Sequence, residues 1–482
     1  MKTITLICLL MTSTAMAFCQ RQRTILTGDF PHLKNGDTVS LLVYKFGEFP
    51  FNAKELRNSY SSAVSDHHFT INVSLQDNGP YECRLIIPKL RITPNIFIVE
   101  KGDSLHVTGT DISLNDVTGK GALKTNVLRQ MDGIWNSLAQ EAATKSRHLS
   151  VASGFELVIE NSQKAITLCR NYVIKQRKLN PVDRNLLMAY AQNPIWDIYD
   201  VIYFGDYNSK QKDTIRKQLN DVWLPFRNKN LKSSDLKSMI HDYRYAQNMI
   251  KDYSLRQIAE KHDFGALSDN TDLWKKYQYF KKRYTGLVRE KLIAALMLSA
   301  PKSNDIAICY DDAKKFLTQK NFKTALDLYC QSLPGTPAYN FTLLDSNKTA
   351  HHLADFKGKV LILDFWFTGC GNCRELTPKL RTVEEQFKND PRVLFVSISS
   401  DKNFELWKSS LRGGLYTTSP SEFNLYTGGN GMSDPLYKKT NTYSAPTLKL
   451  IDARGNWCEN PIDCRFDDGK DLIAKVKKAL GD

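Results

Sequence analysis

Three stretches of the chain differ in the period of their hydrophobic pattern. From Thr24 to about Gly109 apolar and polar residues alternate, punctuated by Asn35-Gly36-Asp37, Asp77-Asn78-Gly79-Pro80 and Lys101-Gly102-Asp103. Alternation puts successive side chains on opposite faces, so residues 38–45, 69–74, 84–87, 96–100 and 104–108 are predicted strands of an antiparallel β-sandwich. From Gly121 to about Cys330 the period lengthens to that of helices: Leu273, Tyr277, Phe280, Tyr284 and Leu287 share one face, and Asn180-Pro181 and Asn193-Pro194 break the run into several elements. An aromatic stripe of this spacing is core-facing. Two prolines and a glycine in Leu333-Pro334-Gly335-Thr336-Pro337 cannot continue a helix and read as a linker. Beyond it come a buried strand at 360–367 interrupted by Asp364, a helical face of Leu376, Leu380, Val383 and Phe387, a strand at 393–399, a helix at 403–411, a strand at 447–451 and a closing amphipathic helix at 471–480. Strand and helix in alternation predict an α/β domain with a largely parallel sheet.

The expected organisation is therefore multidomain: a signal peptide at 1–19, a β-sandwich at 20–112, an all-α region at 113–332 and an α/β domain at 333–482. At 482 residues the chain exceeds what one core ordinarily serves. The signal reading rests on Lys2, the apolar run from Ile4 to Met11, and the small residues up to Ala15-Met16-Ala17. Cleavage after Ala17, cleavage after Cys19, and lipidation of Cys19 with a membrane tether are the alternatives. No later stretch approaches the roughly 18 uninterrupted apolar residues of a membrane span. The expected location is the periplasm.

Charge changes little in this picture. Of the net +15, most arises between Gly121 and Cys330, which holds 34 basic against 22 acidic side chains. The basic residues form no single block, and an exported chain does not meet nucleic acid, so they read as solvated helix faces.

The cysteines change it more. Apart from Cys8 in the leader, they are Cys19, Cys83, Cys169, Cys309, Cys330, Cys370, Cys373, Cys458 and Cys464, too sparse for a disulfide-built scaffold. Cys370-Gly371-Asn372-Cys373 falls where a buried strand ends and a helix begins. There, free N–H groups and the helix dipole stabilise a thiolate, the reactive form of cysteine. Spacing within one helical turn lets Cys373 resolve a mixed disulfide formed by Cys370. Half of a zinc site, completed by Cys458 and Cys464, and an inert disulfide are the competing readings.

Further motifs accumulate around this pair: Pro337-Ala338-Tyr339-Asn340-Phe341-Thr342-Leu343, Phe356-Lys357-Gly358-Lys359-Val360, Asp364-Phe365-Trp366, Pro378 five residues after Cys373, and Tyr443-Ser444-Ala445-Pro446-Thr447 before a strand. With them, 337–482 resembles the thioredoxin-like proteins of the TlpA/ResA type, exported bacterial thiol–disulfide oxidoreductases. The resemblance implies a thioredoxin-like fold with catalytic Cys370 and Cys373 and a cis-proline at Pro446. It further implies substrate-facing positions at Ala445 and Trp366, and Asp364 as a buried proton acceptor for Cys373; a strand-end aspartate bonded to backbone is the plainer reading of Asp364. It implies no cofactor beyond the Cys370–Cys373 disulfide, disulfides of exported proteins as substrates, and a membrane thiol as electron donor. Ile96-Phe97-Ile98-Val99-Glu100-Lys101-Gly102-Asp103 and Val117-Thr118-Gly119 resemble the extensions of long family members.

Three positions depart from the family pattern: Gly369 where Trp is common, Asn372 where Pro is frequent, and Leu376 where many relatives carry an acid. They leave the redox direction open between a reductase and an oxidase or isomerase. A non-enzymatic protein whose thioredoxin-like domain only docks partners is the third reading. The stretch 415–443 reads as a long connection that borders the substrate groove or runs plainly over the surface.

Overall fold

A computed structural model describes residues 23–44, 57–75, 79–87, 96–110, 114–146, 148–231, 244–267, 273–300, 304–417, 423–440, 442 and 444–481. The expected signal peptide and Cys19 lie outside the described residues, as does Tyr443. The chain divides into two compact units, Met1–Leu296 and Met297–Asp482.

The first unit contains strands β1 Thr24–Asp29, β2 Thr38–Tyr44, β3 Arg57–Ala63, β4 His68–Val73, β5 Tyr81–Ile86, β6 Ile96–Val99, β7 Ser104–Gly109 and β8 Leu114–Lys120. They form two four-stranded sheets, β4-β1-β7-β8 and β3-β2-β5-β6. All pairings are antiparallel except β1 with β7, which run parallel. Alternate residues of β2 and β4 point inward, so Val39, Leu41, Phe69 and Ile71 join Phe97 and Val107 in the core between the sheets. β8 continues the first sheet past Gly109. β3 is an edge strand whose seven side chains are exposed or half-exposed.

The helix Ala122–Ser146 follows β8 and packs on β6: Ile96 and Ile98 share an apolar cluster with Val127, Leu128 and Met131. Two short sequence signals lock this joint. Thr125 Oγ1 donates to the Ile98 carbonyl (3.2 Å) and accepts from its N–H (3.1 Å). Lys124, 2% exposed, meets Asp103 (2.8 Å) and Glu100 (3.2 Å), which the turn at Gly102 brings together. Leu273, Tyr277 and Phe280 of the predicted stripe are buried in one helix, Leu273–Arg283, whereas Tyr284 lies beyond its end and Leu287 belongs to the next, Gly286–Ser299.

The second unit is built on a six-stranded sheet of order β10-β9-β13-β12-β11-β14, from β9 Thr342–Leu344, β10 Ala350–His352, β11 Val360–Trp366, β12 Val393–Ser399, β13 Phe423–Tyr426 and β14 Thr447–Ile451. Parallel pairing is confined to β11–β12–β13, and β14, β9 and β10 join antiparallel, so the sheet is mixed. All seven residues of β11 are buried because helices and loops cover both faces. Leu361, Leu363 and Phe365 enter one core. Val360 and Ile362 face the helices Gly371–Phe387 and Lys470–Leu480 through Leu376, Leu380, Val383, Leu472 and Val476. The stretch 415–443 contains β13, which pairs with β12 inside the sheet.

Candidate active site

β11 ends at Trp366, and four residues later Cys370 caps the helix Gly371–Phe387. Its sulfur accepts the N–H of Cys373 at 3.1 Å. Cys370 and Cys373 are joined as a disulfide with Cα atoms 5.3 Å apart. Both are buried, while Gly371 and Asn372 are exposed. Gly369 has φ +93°, a conformation side chains resist, which gives a physical reason for glycine at this position.

Three successive N–H groups leading into the helix are bonded. Thr368 donates to Asp401 Oδ1 (2.9 Å), Gly369 to the Tyr416 phenol oxygen (2.9 Å), and Cys370 to the Phe367 carbonyl (3.1 Å). Asp364 lies in β11 on the same face as Ile362 and Trp366, residues that cluster with Leu376 and with Cys370 and Cys373 respectively, so its carboxyl faces the first turns of the helix. It is 4% exposed, its Oδ1 has no hydrogen-bond partner, and its pKa is pushed up to about 7, by burial first and by the charge of Asp463 second. The Ala445–Pro446 bond is cis, and Ala445 packs against the cluster that holds both cysteines. Sheet pairing brings it there, because β14 starts at Thr447 opposite Phe365 of β11.

Comparison with known proteins agrees with this arrangement: residues 358–457 match the family described as thioredoxin-like. The C-terminal domain is thioredoxin-like over these residues and is similar to the ResA type. The chain is 27% identical to the thiol-disulfide oxidoreductase ResA of Geobacillus kaustophilus over 175 residues, 36% of this chain and 86% of that protein. It is 33% identical to ResA of Bacillus subtilis over 69 residues, 14% of this chain and 38% of that protein. Among solved structures, the thioredoxin domain of a thiol-disulfide oxidoreductase from Bacteroides vulgatus is 26% identical, with a TM-score of 0.26, over 30% of this chain and 96% of that one.

Within the thioredoxin-like domain one expected role fails. Trp366 is fully buried, donates its Nε1–H to Ser397 Oγ (2.5 Å) and stacks on Tyr416 with centroids 4.9 Å apart, so it supports the site from inside and offers no face to a substrate. Its position at the end of a strand buried on both faces is the cause. Leu376 is buried against the sheet, and Glu375 is exposed and meets Arg465 at 3.6 Å. Cys458 and Cys464 are separate thiols in the apolar cluster beneath the active-site helix, pushed up to about 11 and 12 by burial. Among the described residues, no group of three or more His, Cys, Asp or Glu could hold a metal ion.

Sequence reasoning missed Asp401, Tyr416, Trp407 and Tyr426. Trp407 and Tyr426 stack at 5.0 Å and share the cysteines' cluster with Trp366 and Tyr416. The available signal was a run of polar residues after an apolar strand, Ser399-Ser400-Asp401, and aromatic residues in a stretch read as a connection.

Proposed function

We propose that the chain is a thiol–disulfide oxidoreductase of the cell envelope that reduces disulfides in exported proteins. The observation that carries this is the placement of Cys370 Sγ on the N–H of Cys373 at the start of a helix, where a thiolate is stabilised. In the reduced protein the Cys370 thiolate attacks one sulfur of a substrate disulfide. A mixed disulfide forms and the other substrate sulfur leaves as a thiolate. Cys373 then gives up its proton, with Asp364 as acceptor, and attacks Cys370 Sγ. The second substrate sulfur departs, takes up a proton, and leaves Cys370–Cys373 as a disulfide. Two electrons have passed to the substrate, and a membrane thiol donor restores them by the same exchange. The pair is itself the redox centre, with no bound cofactor. Pro446, lacking an N–H, leaves the backbone of Ala445 to pair with an extended substrate segment.

An insulin-reduction assay on wild type and Cys370→Ser tests the reading: thiol-dependent turnover lost in the variant supports it, and none in either protein overturns it. Cys373→Ala stalls the reaction at the mixed disulfide, so partners captured from an envelope fraction identify substrates. A measured potential near those of strong oxidants overturns the reductive direction. The leader at 1–19 and the envelope location are tested by fractionation.

A further inference from the structure

Asp401 and Tyr416 belong to neither step of the exchange, yet both grip the loop from which Cys370 emerges. Asp401 is 7% exposed; its carboxylate accepts the Thr368 N–H (2.9 Å), the Thr368 hydroxyl (2.8 Å) and the Ser399 hydroxyl (2.9 Å). Thr368 Oγ1 also meets Ser410 Oγ at 2.7 Å, tying the loop to the helix Phe404–Gly413. Tyr416, 7% exposed, holds the Gly369 N–H on its phenol oxygen, and its ring lies 5° from parallel to Trp366. The segment carrying Tyr416 is fixed in turn by Arg381 of the active-site helix, whose guanidinium donates to the carbonyls of Gly414 and Thr417, the latter at 3.0 Å.

We infer that Asp401 and Tyr416 are positioning residues, a clamp that sets where Cys370 Sγ stands relative to the free amides of its helix. The inference rests on the thiol–disulfide reading proposed above. An N–H···S contact weakens steeply as distance and angle drift, so the stabilisation of the Cys370 thiolate depends on how firmly residues 367–369 are held. Gly369, with φ +93° and no side chain to pack, supplies no anchorage of its own. Its N–H is held by the acceptor that Tyr416 provides.

Tyr416→Phe removes that acceptor and keeps the stacked ring. Asp401→Asn keeps the shape but, with one carbonyl oxygen in place of two carboxylate oxygens, cannot satisfy all three donors. The readout is the pH profile of Cys370 alkylation by iodoacetamide in the reduced full chain, with folding checked by circular dichroism. Both variants are expected to shift the profile to higher pH, lowering the reactive thiolate fraction at pH 6 by about three- to tenfold. An unchanged profile in folded Tyr416→Phe overturns the clamp. A shift to lower pH in Asp401→Asn also overturns it, because loss of a nearby anion without loss of position would act in that direction. Wild-type protein inert towards insulin would sink the oxidoreductase reading while leaving the alkylation profile free to judge the clamp.

Discussion

In the helices of the first unit Asp252, 3% exposed, takes Arg227 side-on, Nε to Oδ1 at 2.7 Å and Nη2 to Oδ2 at 2.9 Å, and the Trp196 Nε1–H adds a contact at 3.3 Å. In the sheet of the second unit Asp364, 4% exposed, keeps an oxygen with no partner, and the charge that acts on it is the anion Asp463. Burial is the same and company differs. A carboxylate locked to a guanidinium serves the fold; one left alone has its proton in balance near neutrality and suits the proton transfer proposed above. The cysteines divide in the same way. Burial pushes Cys169 up to about 12 and raises Cys83 as well, which keeps both as inert thiols, whereas Cys370 sits on a helix N-terminus with an N–H on its sulfur.

The largest effect falls on the cysteine contrast. Cys370→Ser lowers the insulin-reduction rate by roughly a thousandfold or more, and Cys169→Ala leaves it within about twofold, because in the proposed exchange Cys370 is the attacking sulfur and Cys169 takes no part. Equal losses would break the comparison. Next is Arg227→Met, which strands Asp252 without its cation: urea unfolding of the first unit shows a loss of about 3 kcal/mol, with the exchange rate unchanged.

Asp364→Asn comes third, slowing release of reduced substrate at pH 7 by about tenfold in stopped-flow mixing and flattening its rise with pH around 7. The same variant has a stability signature of defined sign. The folded carboxyl, at about 7, binds its proton more tightly than an ordinary carboxyl at 3.8, so ionisation costs the fold nothing at acid pH, progressively more between these values, and most above 7. Asp364→Asn is therefore stabilised relative to wild type at pH 8, and the advantage fades towards pH 4. On the opposite face of the sheet Lys449, 3% exposed, gives the mirror case, pushed down to about 8 by burial. Here the unfolded chain binds the proton more tightly. Lys449→Met gains about 1 kcal/mol at pH 7 in thermal melts, and the gain disappears as pH rises past 10.

The parts of the fold legible in the sequence were those paid for by local burial. β11 and β12 read as apolar runs, the active-site helix as a stripe, and Cys370 as its cap, because each signal lies within one element. β3 was missed since an edge strand of Arg57-Asn58-Ser59-Tyr60-Ser61-Ser62-Ala63 buries too little to leave a pattern. β13 was missed since four residues, two of them fully buried, vanish inside a stretch rich in Gly and Ser. The contacts of Asp401 with Thr368 and of Tyr416 with Gly369 span 33 and 47 residues, so no local rule could find them. Trp366 was assigned to the wrong side of the site because neighbours in sequence at a strand's end can face opposite ways.

The polar edge strand β3 bears on how this molecule behaves in a crowd. An unpaired strand edge presents its backbone as a template for another chain, and a flat apolar one would invite a second sandwich to zip on. β3 instead displays Arg57, Asn58 and a row of serines, while the opposite border of that sheet, β6, is covered by the helix Ala122–Ser146. One border repels and the other is shielded, so concentrated protein resists growth into intermolecular sheets from this side.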